Sequence, residues 1–290
     1  MASLKEVKNR IQSVQSTRKI TSAMKMVASS KLHKAQQAIE NMRPYEMQLA
    51  HIMSAFVDGA HDDVSSPFSA QRDVQKVTLI AISSNGSLCG GYNANLIKRV
   101  RDTVKEYQAR GVEVQVITIG RKVAEAMSKD GFTSDGDHAS LLDHPSYEEA
   151  AAVVRSQMER FLTGDVDRVE ILYHHFKSTS TQLLTREMLL PVEPAKADGN
   201  EGKNTAGLDY IIEPSAGDIM SELVPKTLCL KLFTALLDSV ASEHAARVVA
   251  MQVATDNADE LLRDLTLTYN KTRQQAITNE LLDIAGGSMQ

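Results

Sequence analysis

Tryptophan is absent from this chain of 290 residues, and tyrosine and phenylalanine number only seven and six. So thin an aromatic content, beside twelve methionines and 42% hydrophobic residues, speaks for long helices packed through aliphatic side chains rather than for a β-rich body. Cysteine is almost missing too. Cys89 and Cys229 have no CxxC spacing and no clustered histidine, which excludes a disulfide framework and leaves no zinc pattern; both read as buried small hydrophobes. No run approaches the roughly 18 consecutive apolar residues of a membrane span, and the opening MASLKEVKNR lacks the apolar core of a signal peptide. The expectation is a cytoplasmic protein that does not insert into a membrane, long enough for one large or two ordinary domains.

Charge is unevenly spread. Residues 1–40 hold Lys5, Lys8, Arg10, Arg18, Lys19, Lys25, Lys31 and Lys34 against Glu6 and Glu40, in a chain whose overall net charge is −5. No aromatic interleaves with these cations before Tyr45, so the stacking devices of a nucleic-acid surface are missing and no nucleic acid is expected. An acidic protein partner, or simply a solvated helix face, accounts for the basic arm.

From Leu4 apolar residues recur at spacings of three and four through Val7, Ile11, Val14, Ala28, Leu32, Ala35, Ile39, Met42, Leu49, Met53 and Phe56. Arg18, Thr21, Lys25 and Glu46 fill the remaining positions of that seam, and Pro44 predicts a bend. Such a helix would be about 80 Å long. A second seam runs through Leu230, Phe233, Leu237, Val240, Met251, Ala254, Ala258, Leu261 and Leu265, interrupted by His244 and Arg247. It begins near Pro225, read as a first-turn proline, and ends at Gly286-Gly287. Neither helix can bury its stripe alone, so residues 1–58 and 217–287 are expected to pair as a long antiparallel coiled coil with a left-handed supercoil, the C-terminal tip projecting by roughly 10 Å.

The middle segment, 74–213, reads as an α/β domain. Strands are expected at 77–82, 112–119, 169–176 and 183–190, the last two as a hairpin around KSTSTQ, with helices at 93–109, 121–129 and 146–162. The fold class is therefore a helical shaft with a central Rossmann-like α/β domain.

The stretch SSNGSLCGGYN at 83–93 stands where a phosphate-binding loop would stand, after a strand and before a helix. It is not one by motif. GxxxxGK[ST] fails for want of the lysine and hydroxyl after Gly90-Gly91, and GxGxxG fails because Leu88 stands where the second glycine belongs. A tight turn that lets the helix approach the sheet explains the glycines better, although an anion at a helix N-terminus is physically possible. Other chemistry is thinner. His174 and His175 should point to opposite sheet faces, Glu243-His244 is not HExxH, and Asp135, Asp137, His138 and Asp143 read as solvated turn residues before a metal site. No nucleophile, base and orienter assemble, so no catalytic residue, cofactor or metal ligand is expected. The polar seam residues Arg18, Thr21 and Lys25 either set the register against Asp256, Asp259, Glu260 or Asp264, or belong to a stretch of shaft gripped from outside.

RIQSVQSTRKITSAMKMVASSKLHKAQ (10–36), SEHAARVVAMQVATDNADELL (242–262) and YNKTRQQAITNELLDIAGG (269–287) resemble the terminal helices of the gamma subunit of F-type ATP synthases. The resemblance covers nearly the whole chain and is weakest at 60–76 and 190–207. It implies a non-catalytic central stalk that rotates inside a ring of three alpha and three beta subunits. Its foot would rest on the membrane c-ring beside epsilon, at the cytoplasmic face of a bacterial inner membrane. It also implies contacts with the ring through Lys19, Met24, Lys25, Arg273, Gln274, Thr278 and Glu280, an apolar tip of Leu281, Leu282 and Ile284, and a c-ring contact at Tyr210 and Glu213 in LDYIIEP. Where that family commonly reads Ser-Asp-Arg-Gly-Leu-Cys-Gly-Gly, this chain has Ser84-Asn85-Gly86-Ser87-Leu88-Cys89-Gly90-Gly91, without the acid and the base. Two further readings compete, a nucleotide-binding enzyme built on the α/β segment and a static helical scaffold.

Overall fold

The computed structural model describes residues 3–58, 66–133, 136–192 and 216–287. Helix α1 spans Leu4–Asp58 and runs through Pro44 without interruption. After a short 3-10 turn come β1 (Lys76–Ile82), α2 (Tyr92–Gln108), β2 (Glu113–Ile119), α3 (Arg121–Lys129), α4 (Ser140–Asp143), α5 (Tyr147–Thr163), β3 (Arg168–Ser178) and β4 (Thr181–Leu190), then α6 (Ala216–Gly287).

Helices α1 and α6 pack together and antiparallel. Arg18 Nε lies 2.9 Å from Asp259 Oδ1, the hydroxyls of Thr21 and Thr255 are 2.9 Å apart, and Lys25 donates to Gln252 Oε1. As the number falls on one helix it rises on the other, and these three pairs fix the register. The expected seam is real along most of its length, with Val7, Ala28, Leu32, Ala35 and Leu49 buried from α1 and Leu230, Leu237, Met251 and Ala258 from α6. Of the expected acidic partners, Asp259 takes Arg18, whereas Lys25 meets Gln252, which in turn donates to Asp256 at 2.8 Å.

Two expectations about α6 need correction. Pro225 is not in the first turn of α6, which begins at Ala216. Met220, Val224 and Leu228 are buried at intervals of four in the common core, and this apolar face carries the helix across the proline at the cost of one backbone bond. The tip also projects further than helix lengths suggested. The register places Leu4 opposite Arg273, so residues 274–287 extend alone, about 20 Å of helix.

The sheet has the order β2-β1-β3-β4, parallel except for the β3-β4 hairpin. Strand β1 is buried on both faces, as a near-continuous apolar run in a parallel sheet requires. Val77, Leu79 and Ala81 point into the layer of α2 and α3, while Ile80 and Ile82 point into the core shared with α5, α6 and α1. The hairpin turn is shorter than KSTSTQ suggested. Only Thr179 and Ser180 lie between the strands, because Ser178 Oγ accepts from Thr181 N at 3.1 Å and Gln182 Nε2 donates to the Thr179 carbonyl at 2.8 Å. Helix α5 begins where Ser146 caps the Glu149 amide and ends on left-handed Gly164.

Candidate functional site

The foot is bonded to α6 at successive levels along the helix. Lys231 Nζ donates to the Met188 carbonyl at 2.8 Å, Asp238 holds His175 Nδ1, the Tyr92 hydroxyl reaches the Ser239 carbonyl at 3.0 Å, and Ser242 Oγ reaches the His174 carbonyl at 3.0 Å. Arg247 completes the series with a 3.3 Å bond to the Ser87 carbonyl. From Lys231 to Arg247 these bonds span about 24 Å of helix. His174 and His175 do face opposite ways: His174 stacks on Tyr92 of α2, with ring centroids 4.2 Å apart, and His175 turns to the shaft. Burial pushes the Asp238 carboxyl above the usual carboxylate range, an effect the bond from His175 opposes. Burial alone holds His174 down at about 4.

The glycine-rich loop belongs to this joint. Ser84 and Asn93 close it from within: the Ser84 amide donates to Asn93 Oδ1 at 3.1 Å, and Asn93 Nδ2 donates to Ser84 Oγ at 2.8 Å and to the Gly86 carbonyl at 3.2 Å. Gly90, at φ +60°, faces the Ala250 methyl, and a Cβ on Gly86 would lie 3.4 Å from the Arg247 guanidinium. The glycines thus let the loop approach the shaft helix as well as turn into α2. Arg247 is also held by Glu243 at 2.7 Å.

The carboxylates of the loop before α4 and of α4 itself hold protein groups. Asp137 caps the Ala139 amide at 3.0 Å and Asp143 accepts from Asn85 at 3.0 Å; Asp135 lies outside the described residues. Among the described residues no three His, Cys, Asp or Glu side chains could share a metal ion.

The ring-contact candidates fall in two bands. Lys19, Met24 and Lys25 sit on the two-stranded part of the shaft beyond the foot, Lys19 exposed and Met24 and Lys25 half-buried. Arg273 at the end of the two-stranded part and Gln274, Thr278 and Glu280 on the single-stranded tip are exposed, about 35 Å further along. Leu281, Leu282 and Ile284 are 61%, 64% and 68% exposed, an apolar end with no covering partner among the described residues. Tyr210 and Glu213 lie outside the described residues. Sequence reasoning missed an exposed apolar band at the level of the first group, with Ile20, Met26 and Val27 on α1 and Val249 and Val253 on α6. The signal was present in TSAMKMVA, which carries more apolar residues than one seam can bury.

Long terminal helices paired as a shaft, with an α/β foot bonded along one of them, define a stalk-type protein. The sequence pattern of the family described as ATP synthase matches residues 3–289. Named ATP synthase gamma chains match over the full length of this chain and of themselves, at 58% identity in Phocaeicola vulgatus and 56% in Bacteroides fragilis. One from Flavobacterium johnsoniae is 45% identical, covering 99% of this chain and 98% of its own. The chain belongs to the ATP synthase gamma chain family. In fold it is similar to a chain of the Euglena gracilis mitochondrial ATP synthase, with TM-score 0.65 at 21% identity over 99% of this chain and 93% of the other. A chain of the Tetrahymena thermophila mitochondrial ATP synthase central stalk and c-ring gives TM-score 0.57 at 21% identity over 81% and 99%. No helix among the described residues is long and apolar enough to cross a membrane.

Proposed function

We propose that this chain is the non-catalytic rotor shaft of a bacterial ATP synthase, turning inside a ring of three alpha and three beta subunits. Its foot stands on the c-ring beside epsilon at the cytoplasmic face of the inner membrane. Ion flow turns the foot, the shaft follows, and the shaft presents a different face to each beta subunit in turn. Each beta site then changes its affinity because it meets different contacts in each position. Synthesis and hydrolysis of ATP belong to the beta subunits in this reading.

The observation that supports it best is the run of bonds from Lys231 to Arg247, which ties foot and α6 so that torque at the foot passes into the helix. Lys19 and Lys25 offer positive charge to acidic loops of beta, with Met24 and the neighbouring apolar band as the surface that slides past them. Arg273, Gln274, Thr278 and Glu280 form the upper contact, Leu281, Leu282 and Ile284 turn in an apolar sleeve, and Tyr210 and Glu213 meet the c-ring.

The test is to tag the chain, solubilise membranes gently and weigh the intact complex by native mass spectrometry. One copy beside three alpha and three beta subunits is expected, with ATP hydrolysis that falls on Arg273→Ala or Glu280→Ala. A free chain that binds nucleotide by itself would overturn the reading.

A further inference from the structure

The joint between shaft and foot forms an open cleft of about 810 Å³, within the range of small-molecule sites. Its floor is apolar: Leu237 and Val240 from α6 and Leu142 from α4 are buried there. Its rim is cationic, with Lys31 and Lys34 from α1 and Arg121 at the start of α3, all exposed. One wall is the backbone of Asn85, Gly86 and Ser87, which carries no side-chain charge.

The charges at this place do not cancel. Glu243 takes the Arg247 guanidinium at 2.7 Å, and Asp143 accepts from the neutral Asn85 amide at 3.0 Å and keeps its charge against the three rim cations. Lys31, Lys34 and Arg121 have no carboxylate within ion-pair distance among the described residues. His244, at the same wall, is held neutral, its pKa pushed down to about 4 by burial first and then by the positive field of Arg247 and Lys31. With Lys31, Lys34, Arg121 and Arg247 against Asp143 and Glu243 the lining keeps an excess of two positive charges, 4 − 2, and this excess above an apolar floor suits a ligand with a matching division, an apolar body below and an anionic head above.

We infer that this cavity is a binding site for a small amphipathic organic anion, such as an aryl or alkyl phosphate, gripped by Lys31, Lys34 and Arg121 above the Leu142, Leu237 and Val240 floor. The ligand would touch α1, α6 and the foot together. Its occupancy would therefore brace the joint, and binding to the native form alone raises the unfolding temperature by mass action.

The probe is 1-naphthyl phosphate, titrated calorimetrically into the purified full-length chain, with inorganic phosphate and 1-naphthol as the separated head and body. Saturable one-to-one binding is expected for the whole probe, weaker binding for either half, and a rise in melting temperature. The Lys34→Glu/Arg121→Glu variant changes only exposed rim residues; it should fold as the parent by circular dichroism and lose affinity on the order of a hundredfold, about tenfold per charge-assisted contact. Equal affinity of parent and variant would place the probe elsewhere, on the apolar shaft, and overturn the inference. So would inorganic phosphate binding as tightly as the aryl ester, which would reduce the site to a patch of charge. A poly-glutamate peptide that binds while 1-naphthyl phosphate does not would overturn it as well, assigning the rim to an acidic protein segment.

Discussion

Thr21 and Thr255 face each other across the shaft with their hydroxyl oxygens 2.9 Å apart, although 234 residues separate them in the chain. A cysteine at each position would bring two thiols to bonding distance. Thr21→Cys/Thr255→Cys should form an internal disulfide on mild oxidation, read as a faster band on a non-reducing gel. Because both helices belong to one rotor, ATP hydrolysis by the assembled complex should survive the crosslink. Loss of hydrolysis that returns on reduction would mean that the two helices must slide or unwind as they turn.

A second lock lies within the foot. Glu170, buried on β3, takes Arg186 of β4 at 2.7 Å and the Tyr107 hydroxyl of α2 at 2.6 Å. These contacts raise the Arg186 pKa further above its ordinary value, against the burial that would lower it. Glu170→Ala leaves that guanidinium without its buried counter-charge and should cost about 3 kcal/mol in denaturant unfolding. Glu170→Gln, which keeps a hydrogen-bond acceptor, should cost less. Equal stability of parent and alanine variant would show the lock to be idle.

Two glycines separate backbone strain from crowding. Gly120 has φ +107°, and a Cβ there would meet Leu142 Cδ1 and Ser83 Oγ at 2.7 Å. Gly111 has φ +74° and nothing within 4 Å of its would-be Cβ. Gly111→Ala should cost about 1 kcal/mol, the left-handed backbone alone. Gly120→Ala should cost about 3 kcal/mol, since the clash adds to the strain. Thermal unfolding of the two variants side by side checks the difference, and equal costs would refute the steric account.

The buried ring of His174 sets a pH dependence. Its pKa of about 4 lies below the 6.5 of a free histidine, so the unfolded chain takes up a proton that the native ring refuses. Stability is unaffected above that window and falls as pH drops through it, by at most about 3 kcal/mol. Asp238, Glu243 and Glu46, held above the usual carboxylate range chiefly by burial, act with the opposite sign. His174→Phe keeps a ring against Tyr92 and removes the titrating nitrogens. Between about pH 7 and 4.5 the variant should therefore lose less stability than the parent in urea unfolding. Parallel curves would show that the ring does not titrate in this way.

Much of this architecture was legible because each element satisfies one period. Strand β1 and helix α3 declared themselves by continuous apolarity and by spacing, and the seam from Val7 to Leu49 by its heptads. Pro225 misled because a proline reads locally as a start signal, whereas the buried face of Met220, Val224 and Leu228 belongs to the assembled core. The job of Gly86 and Gly90 was half legible: the turn is a local matter, but Arg247 and Ala250, which the loop approaches, come from far along the chain. The basic cavity was hidden for the same reason. Lys31, Lys34 and Arg121 lie on separate segments, and no spacing rule connects them.

The overhang of α6 past Leu4 has a thermodynamic side. Residues 274–287 make roughly four turns of helix with no second helix beside them among the described residues, and isolated helices of that length are marginal in water. Their apolar side chains, Ile277, Leu281, Leu282 and Ile284, contribute nothing to holding them while they face solvent. In the free chain the last turns should exchange their amide protons fastest. Within an enclosing ring the same residues would gain their burial and their helix together, so that for this part of the molecule assembly is the final step of folding.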